Sequence, residues 1–381
     1  MIYLDANATE PLRPGARAAT IAALDLLGNP ASIHQAGRRA RRLLETSRRT
    51  VAARFGAPVD SVVFTSGGTE ANALAIRSLG AGRRLVIGGT EHDAVRAAAP
   101  TATILPVDRD GVADLEALDR VLAEAGPAMF CLMLANNETG TVQPITAAAA
   151  LCRRHGALLH VDAVPAAGRM AIDLAALGAD SLAISGHKLG GPKGAGALLL
   201  AVDRHLAPLI AGGGQERGRR GGTPALPAIA GLAASCEAPP SDMLALRQRL
   251  EREAVAFGAI VLGGPDRLSN TSCLALPGVR AETQVIALDL AGIAVSAGAA
   301  CSSGKVARSH VLEAMGVGDL AAEAIRVSLP WNATAADVAA FQTAYAAMSR
   351  RLARRLDVPV DAGADGWTPG QAGPYRRHAP Q

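Results

Sequence analysis

Ser185-Gly186-His187-Lys188 closes the apolar run Asp180-Ser181-Leu182-Ala183-Ile184, and Leu189-Gly190-Gly191-Pro192-Lys193-Gly194 follows it. A lysine delivered by a buried strand into a glycine-rich turn stands where its amine can be desolvated. Its pKa then falls, as a Schiff-base lysine requires. Asp162 follows the run Leu158–Val161, and His92 sits in Gly89-Thr90-Glu91-His92 after Leu85-Val86-Ile87. Ser66-Gly67-Gly68-Thr69-Glu70 joins the strand Val62–Thr65 to a helix expected over Ala71–Leu79. A glycine turn that opens a helix exposes unpaired N–H groups at the positive end of the helix dipole, and with the Thr69 hydroxyl it suits a phosphate. Cys301 lies in the small-residue stretch Ser296-Ala297-Gly298-Ala299-Ala300-Cys301-Ser302-Ser303-Gly304.

Together these types match what pyridoxal 5'-phosphate (PLP) chemistry needs. A lysine holds the cofactor, an acid keeps its pyridine nitrogen protonated, a ring covers its face and donors take its phosphate. Each feature alone has a plainer reading: a solvated lysine, an ordinary βα turn, a capping residue. Their recurrence after successive strands favours a site.

The elements that must position them alternate. Strands are expected over 84–87, 102–105, 129–134 and 158–161, with helices over 115–125 and 145–155. Such alternation implies right-handed βαβ units and a mostly parallel sheet, with functional residues at the strands' carboxyl ends. Ala135-Asn136-Asn137-Glu138-Thr139-Gly140 falls at one such end. Ser32 is expected to cap an arginine-rich helix, and the glycine- and arginine-rich stretch 212–224 reads as a mobile loop, an anion contact or a subunit interface. A helix over 244–257 and a strand over 271–276 follow a boundary near Ser241. At 381 residues two domains are expected. The large one spans 14–242 and the small one 1–13 with 243–356; residues 357–381, rich in Gly, Pro and Ala, read as a disordered tail.

Composition narrows the function. Hydrophobic residues make up 49% and the net charge is +4, with mean hydropathy +0.20. This describes a folded protein rather than a disordered one. The run Arg38-Arg39-Ala40-Arg41-Arg42 with Arg48-Arg49 reads as one solvated helix face, and aromatics at 3% make nucleic-acid stacking improbable. No direct nucleic-acid contact is expected. No apolar run approaches a membrane span and no charged leader precedes a hydrophobic region, so a cytoplasmic protein is expected. The five cysteines show no metal-ligand spacing, so free thiols and no metal site are expected. Cys131, Cys152, Cys236 and Cys273 sit in apolar or helical surroundings and read as core, Cys301 as a loop residue.

From Tyr3-Leu4-Asp5 to Arg326-Val327-Ser328-Leu329 the chain resembles the cysteine desulfurases of the NifS/IscS type, within the class V aminotransferase family of PLP enzymes. The resemblance rests on Gly28-Asn29-Pro30-Ala31-Ser32, Thr65-Ser66-Gly67-Gly68-Thr69-Glu70, Thr90-Glu91-His92, Asn136-Asn137-Glu138-Thr139-Gly140, His160-Val161-Asp162-Ala163, Ser185-Gly186-His187-Lys188, Arg217-Gly218-Arg219-Arg220-Gly221-Gly222-Thr223 and the Cys301 stretch, in that order. It implies the aspartate aminotransferase-like fold type I, an α/β architecture with a smaller α+β domain. It implies that Lys188 carries the cofactor, His92 stacks on the ring and Asp162 pairs with the ring nitrogen. Gly68, Thr69, Ser185 and His187 would hold the phosphate, joined by Thr223 from the partner subunit of a homodimer. Asn137 and Arg326 would bind the substrate carboxylate of L-cysteine, and Cys301 would receive the sulfur and pass it to an acceptor or iron–sulfur scaffold protein. The family commonly has Gln three residues after the aspartate, where it bonds the cofactor's phenolic oxygen. Here Pro165 stands there and offers no donor. Two other readings share most of these residues: another class V enzyme, an aminotransferase or selenocysteine lyase, and a weakly active partner subunit of a sulfur-transfer assembly.

Overall fold

The computed structural model describes residues 1–124, 126–298 and 308–353. Cys301 and the expected tail therefore lie outside the described residues. Ile2–Tyr3 (β1) opens the chain. The main sheet follows, built from Val62–Thr65 (β2), Arg84–Gly88 (β3), Thr103–Leu105 (β4), Ala128–Met133 (β5), Leu158–Asp162 (β6), Ser181–Ser185 (β7) and Gly196–Leu200 (β8). Its order is β2-β8-β7-β6-β5-β3-β4. The β3–β4, β3–β5, β5–β6 and β6–β7 pairs are parallel, whereas β8 runs antiparallel to both β7 and β2. Six strands thus point one way, and β8 alone opposes them. The reason is local: β7 and β8 are joined by the tight glycine-rich connection 186–195 rather than by a crossover helix. That connection carries Lys188.

Every residue of β5, β7 and β8 is buried, as strands covered on both faces must be. The largest core cluster packs Phe64, Phe130, Leu132, Val161 and Leu182 against helices on one face. A second, on the other face, gathers Leu74, Ile76, Met129 and Cys131.

Ile260–Leu262 (β9), Thr271–Ala275 (β10), Ile293–Ala294 (β11), Ser296–Ala297 (β12) and Ala324–Ser328 (β13) come later in the chain. Four of them form an antiparallel sheet of order β12-β13-β10-β9, and β1 pairs in parallel with β11. Leu4 shares a core there with Leu250, Leu274, Ile325, Phe341 and Tyr345. The first residues therefore share a core with residues of the second sheet and of the helix that holds Phe341 and Tyr345.

Several local expectations are corrected. The helix after the glycine turn begins at Gly68 and not at Ala71, with Gly67 as its N-cap and no side-chain cap bond. The arginine-rich helix spans Gln35–Arg54 and is capped by His34, whose Nδ1 accepts from Gly37 N at 3.2 Å, not by Ser32. Nor is its arginine face wholly solvated. Arg38, Arg39, Arg41, Arg42 and Arg49 are exposed, but Arg48 is buried and forks onto Glu216 with both bonds at 2.7 Å. Glu216 also accepts from Phe64 N at 2.9 Å. Removing either partner of such a buried pair strands a charge and costs about 3–5 kcal/mol. Glu216 and Arg217 hold left-handed backbone angles, φ 47° and 59°. The 212–224 stretch is thus pinned at its centre.

Candidate active site

The carboxyl ends of β2, β3, β5, β6 and β7 meet at one edge of the main sheet, and the expected residues gather there. Register starts the site. Gly196 pairs with Ser185 on one side and Thr65 on the other, and a Cβ on Gly196 would come 2.7 Å from the Cα of Gly67. Only glycine lets the turn after β2 lie down on β8. The turn then faces Ser185: a Cβ on Gly67 would meet nothing nearer than Ser185 Oγ, at 3.7 Å. Gly68, Thr69 and Glu70 form the first helical turn, whose N–H groups lack intrahelical acceptors. Glu70 is not part of that anion cradle's charge balance alone, since Arg220 Nε donates to it at 2.9 Å.

Asp162, the last residue of β6, is buried and drawn up from the ordinary carboxylate range, chiefly by desolvation. Asn72 Nδ2 donates to its Oδ2 at 2.8 Å and Val164 N to its Oδ1 at 2.9 Å, and the charges of His92 and Lys188 act on it as well. Behind it, His160 Nε2 lies 2.9 Å from Asn72 Oδ1, and His160 Nδ1 lies 2.8 Å from Ser181 Oγ. Asn72 can donate to Asp162 only with Oδ1 left to accept, so His160 carries its proton on Nε2 and accepts from Ser181. Burial pulls His160 down to about 3, so it stays neutral.

His92 caps the helix Asp93–Ala98, with Nδ1 accepting from Ala94 N at 3.0 Å. Its ring is thereby held at the end of β3, where its charge would act on Asp162 and on Glu138. Lys188 Nζ donates to the carbonyls of Asn7 and of Ala8, the latter at 3.1 Å. Arg169 fixes the lysine from behind, donating to Lys188 O at 2.8 Å and to Glu10 Oε2 at 2.7 Å. His187 Nδ1 is 3.2 Å from Thr9 Oγ1, and burial followed by the Lys188 charge pulls its pKa down to about 4.

The small sheet closes the other side. Arg326, in β13, donates to Asp5 Oδ1 at 2.8 Å and to the Asn137 carbonyl at 3.1 Å. Its Nε is buried with no partner among the described residues. Asn7 Nδ2 also reaches the Asn137 carbonyl, at 3.0 Å. Glu138 is buried and lifted by desolvation to about 7, while Ser309 Oγ donates to its Oε2 at 2.6 Å.

The structure therefore brings together Gly68, Thr69, His92, Asn137, Asp162, Ser185, His187, Lys188 and Arg326. Thr223 is exposed on its loop, and Cys301 is outside the described residues. Sequence reasoning missed Asn72, His160, Arg169 and Glu138. Asn72 and His160 carried a usable signal, a polar residue within an otherwise apolar helix face and strand; Arg169 and Glu138 are identified only by what they touch. Pro165 is buried in the turn after Asp162. Cys131, Cys152, Cys236 and Cys273 are buried free thiols, as expected. Desolvation pushes the last three up to about 12 and Cys131 higher than its ordinary value. Among the described residues no cluster fits a metal ion, and no helix is long and apolar enough to cross a membrane.

PLP fits this donor set. A fully buried acid gains from a cationic partner such as a protonated pyridine nitrogen. The unpaired N–H groups of the cradle beside Ser185 suit a phosphate dianion.

The chain matches the family model described as aminotransferase class-V over residues 2–341. It is 45% identical over 359 residues to a cysteine desulfurase of Cereibacter sphaeroides, covering 88% of this chain and 92% of that one. It is 36% identical to an IscS-like cysteine desulfurase of Mycobacterium tuberculosis, covering 96% and 100%. Among solved structures, a NifS-like protein from Rickettsia africae superimposes with a TM-score of 0.85 at 34% identity, covering 92% of this chain and 99% of that chain.

Proposed function

The chain belongs to the aminotransferase class-V family and is a PLP-dependent cysteine desulfurase, and from that premise we propose how its own residues divide the work. The observation that carries this reading is the placement of Lys188 and Asp162 at one sheet edge, with Asn72 bonded to the Asp162 carboxylate and Arg169 to the Lys188 backbone carbonyl. PLP supplies an electron sink for the pair left at the substrate Cα when its proton departs. Lys188 would hold the cofactor, and its Nζ would take the Cα proton. Asp162 would hold a proton at the ring nitrogen, with the Ser181–His160–Asn72 line keeping Asp162 aimed. His92 would lie against the ring, and Ser185, Thr69, His187 and the backbone at Gly68 would donate to the phosphate.

Arg326 and Asn137 take the substrate carboxylate, for which the unpartnered Nε of Arg326 is a ready donor. Cys301 receives sulfur: its thiolate forms the S–S bond as the substrate Cβ–S bond breaks, the released pair is protonated at carbon, and L-alanine leaves. A low-pKa thiolate is the competent nucleophile. The four described cysteines, buried with raised pKa values, are unsuited to that task. Thr223 completes the phosphate site of a second copy in a homodimer, a role that its exposure permits. The sulfur passes to an acceptor or iron–sulfur scaffold protein.

The test is the absorption spectrum of the purified protein before and after L-cysteine with a reductant, with sulfide and alanine assayed together. A cofactor band that shifts, with sulfide and alanine formed by the native chain and not by Cys301→Ala, is the expected result. A band without sulfide turns the reading toward another class V reaction or an inactive subunit. Alanine formation that survives Cys301→Ala removes the thiol from the mechanism.

A further inference from the structure

The turn assigned above to the cofactor phosphate carries a negative charge of its own. Glu70 stands in the first turn of the helix Gly68–Leu79, whose N-cap is Gly67. Its Oε2 accepts from Ser66 N at 2.8 Å, so the carboxylate folds back onto the very turn whose N–H groups form the cradle. Burial draws the Glu70 carboxyl up, but the bonds from Arg220 and Ser66 outweigh it and hold the group below the ordinary carboxylate range. It is therefore ionised at neutral pH. An acid in a first turn suits the helix dipole. It also repels an incoming dianion.

Arg220 brings the opposite charge from 150 residues away, with Nε donating to Glu70 Oε1 at 2.9 Å and Nη2 reaching Oε2 at 3.5 Å. The side chains of Glu70 and Arg220 are 12% and 23% exposed, so the pair is partly shielded from water and its charges act more strongly than they would on the surface. The chain just before Arg220 is fixed in place. Arg219 donates to Asp60 O at 2.9 Å and pairs with Asp203, and Glu216 takes both the Arg48 fork and Phe64 N, in the strand that leads into the cradle. Arg220 is thus delivered to Glu70 by a stretch already anchored to the same strand.

We propose that Arg220 is a positioning residue for the cofactor phosphate: by pairing with Glu70 it cancels the carboxylate's charge and keeps it turned onto Ser66 N, so that the cradle meets a dianion with its free N–H groups and the Thr69 hydroxyl. The proposal rests on this turn taking the phosphate. Arg220 acts here through its charge, so lysine replaces it in part and glutamine does not. Once Glu70 is made neutral, the need for Arg220 disappears.

The experiment strips the cofactor from the full chain and titrates back PLP and, separately, pyridoxal, which has the same ring and aldehyde but no phosphate. Binding is read from the absorption band and compared among the native chain, Arg220→Gln, Arg220→Lys, Glu70→Gln and the double variant of Glu70→Gln with Arg220→Gln. Arg220→Gln is expected to weaken PLP roughly 10- to 100-fold, the scale of a lost charge-assisted interaction, and to leave pyridoxal within about twofold. Arg220→Lys keeps most of the preference for PLP, Glu70→Gln keeps all of it, and the double variant returns to within about threefold of the native chain. Equal weakening of PLP and pyridoxal in Arg220→Gln would overturn the proposal in favour of a general structural role for the arginine. So would a double variant as weak as Arg220→Gln alone. If the native chain binds PLP no better than pyridoxal, the assignment of the phosphate to this turn fails, and the proposal falls with it.

Discussion

On the main-sheet side of the site, Asp162 is aimed by a line of neutral groups running back through Asn72 and His160 to Ser181. On the small-sheet side, Arg326, Asp5 and Glu138 form a charged group drawn from three separate stretches of chain. The first is built on β6, β7 and the helix packed against them, so strand register alone sets its geometry. The second exists only where the two sheets meet. In the proposed reading the cofactor sits on the rigid main-sheet side and the substrate carboxylate on the ionic one. The difference also makes the second side the one that responds to pH, since His160 stays neutral through the physiological range while Glu138 is poised at about 7.

The largest effect belongs to the rigid side. Lys188→Ala should cut sulfide formation by roughly 10³-fold, the scale of a lost positioned acid–base group, with the cofactor band altered. A normal rate in that variant would remove the lysine from the chemistry. Next comes the ionic side: Arg326→Ala should raise the KM for L-cysteine roughly 10- to 100-fold, from a charge-assisted pair of about 1.5–3 kcal/mol. Should kcat fall with KM unchanged, Arg326 acts on the reaction and not on binding. Smaller is Asn72→Ala, which leaves His160 and Asp162 each short of a partner. It should lower unfolding free energy by about 1–3 kcal/mol in urea, with Ser181, at the far end of the relay, giving the lesser loss.

The smallest effect separates the sides by pH. The folded-state pKa of Glu138 is raised, so folding favours its protonated form. Its contribution to stability is present below the ordinary carboxylate range and is lost as pH rises through about 7. Glu138→Gln should flatten that part of the stability–pH curve. His160 contributes in the opposite sense: its depressed pKa adds stability above the ordinary imidazole range, lost as pH falls from there toward about 3. His160→Gln should therefore alter the acid limb alone, and a variant that shifts both limbs would break the contrast.

The main-sheet side was legible in the sequence because each of its groups follows an apolar run that can only be a buried strand. Asp162 after Leu158–Val161 and Lys188 after Asp180–Ile184 need no tertiary knowledge to be placed at a sheet edge. The helix of Arg48 shows the converse. Its arginines repeat with one surface spacing, and nothing in that pattern marks the single one that Glu216 draws inside from 168 residues away. The opposed direction of β8 was hidden for a related reason. A ten-residue glycine-rich connection reads as a loop until its two ends are seen to pair, Ser185 with Gly196.

Composition and apolar periodicity determined that this chain builds a covered, mostly parallel sheet with lysine, aspartate, histidine and a glycine turn at one edge, because burial of backbone and side chains is dictated locally. Only the tertiary structure decided which buried polar groups would share partners. Asp5, Asn137, Glu138, Gly298, Ser309 and Arg326 carry no common local signal. They meet because two sheets, one of them completed by the first residues of the chain, close over the same edge, and an unpaired charge in that contact would cost more than the pairing does.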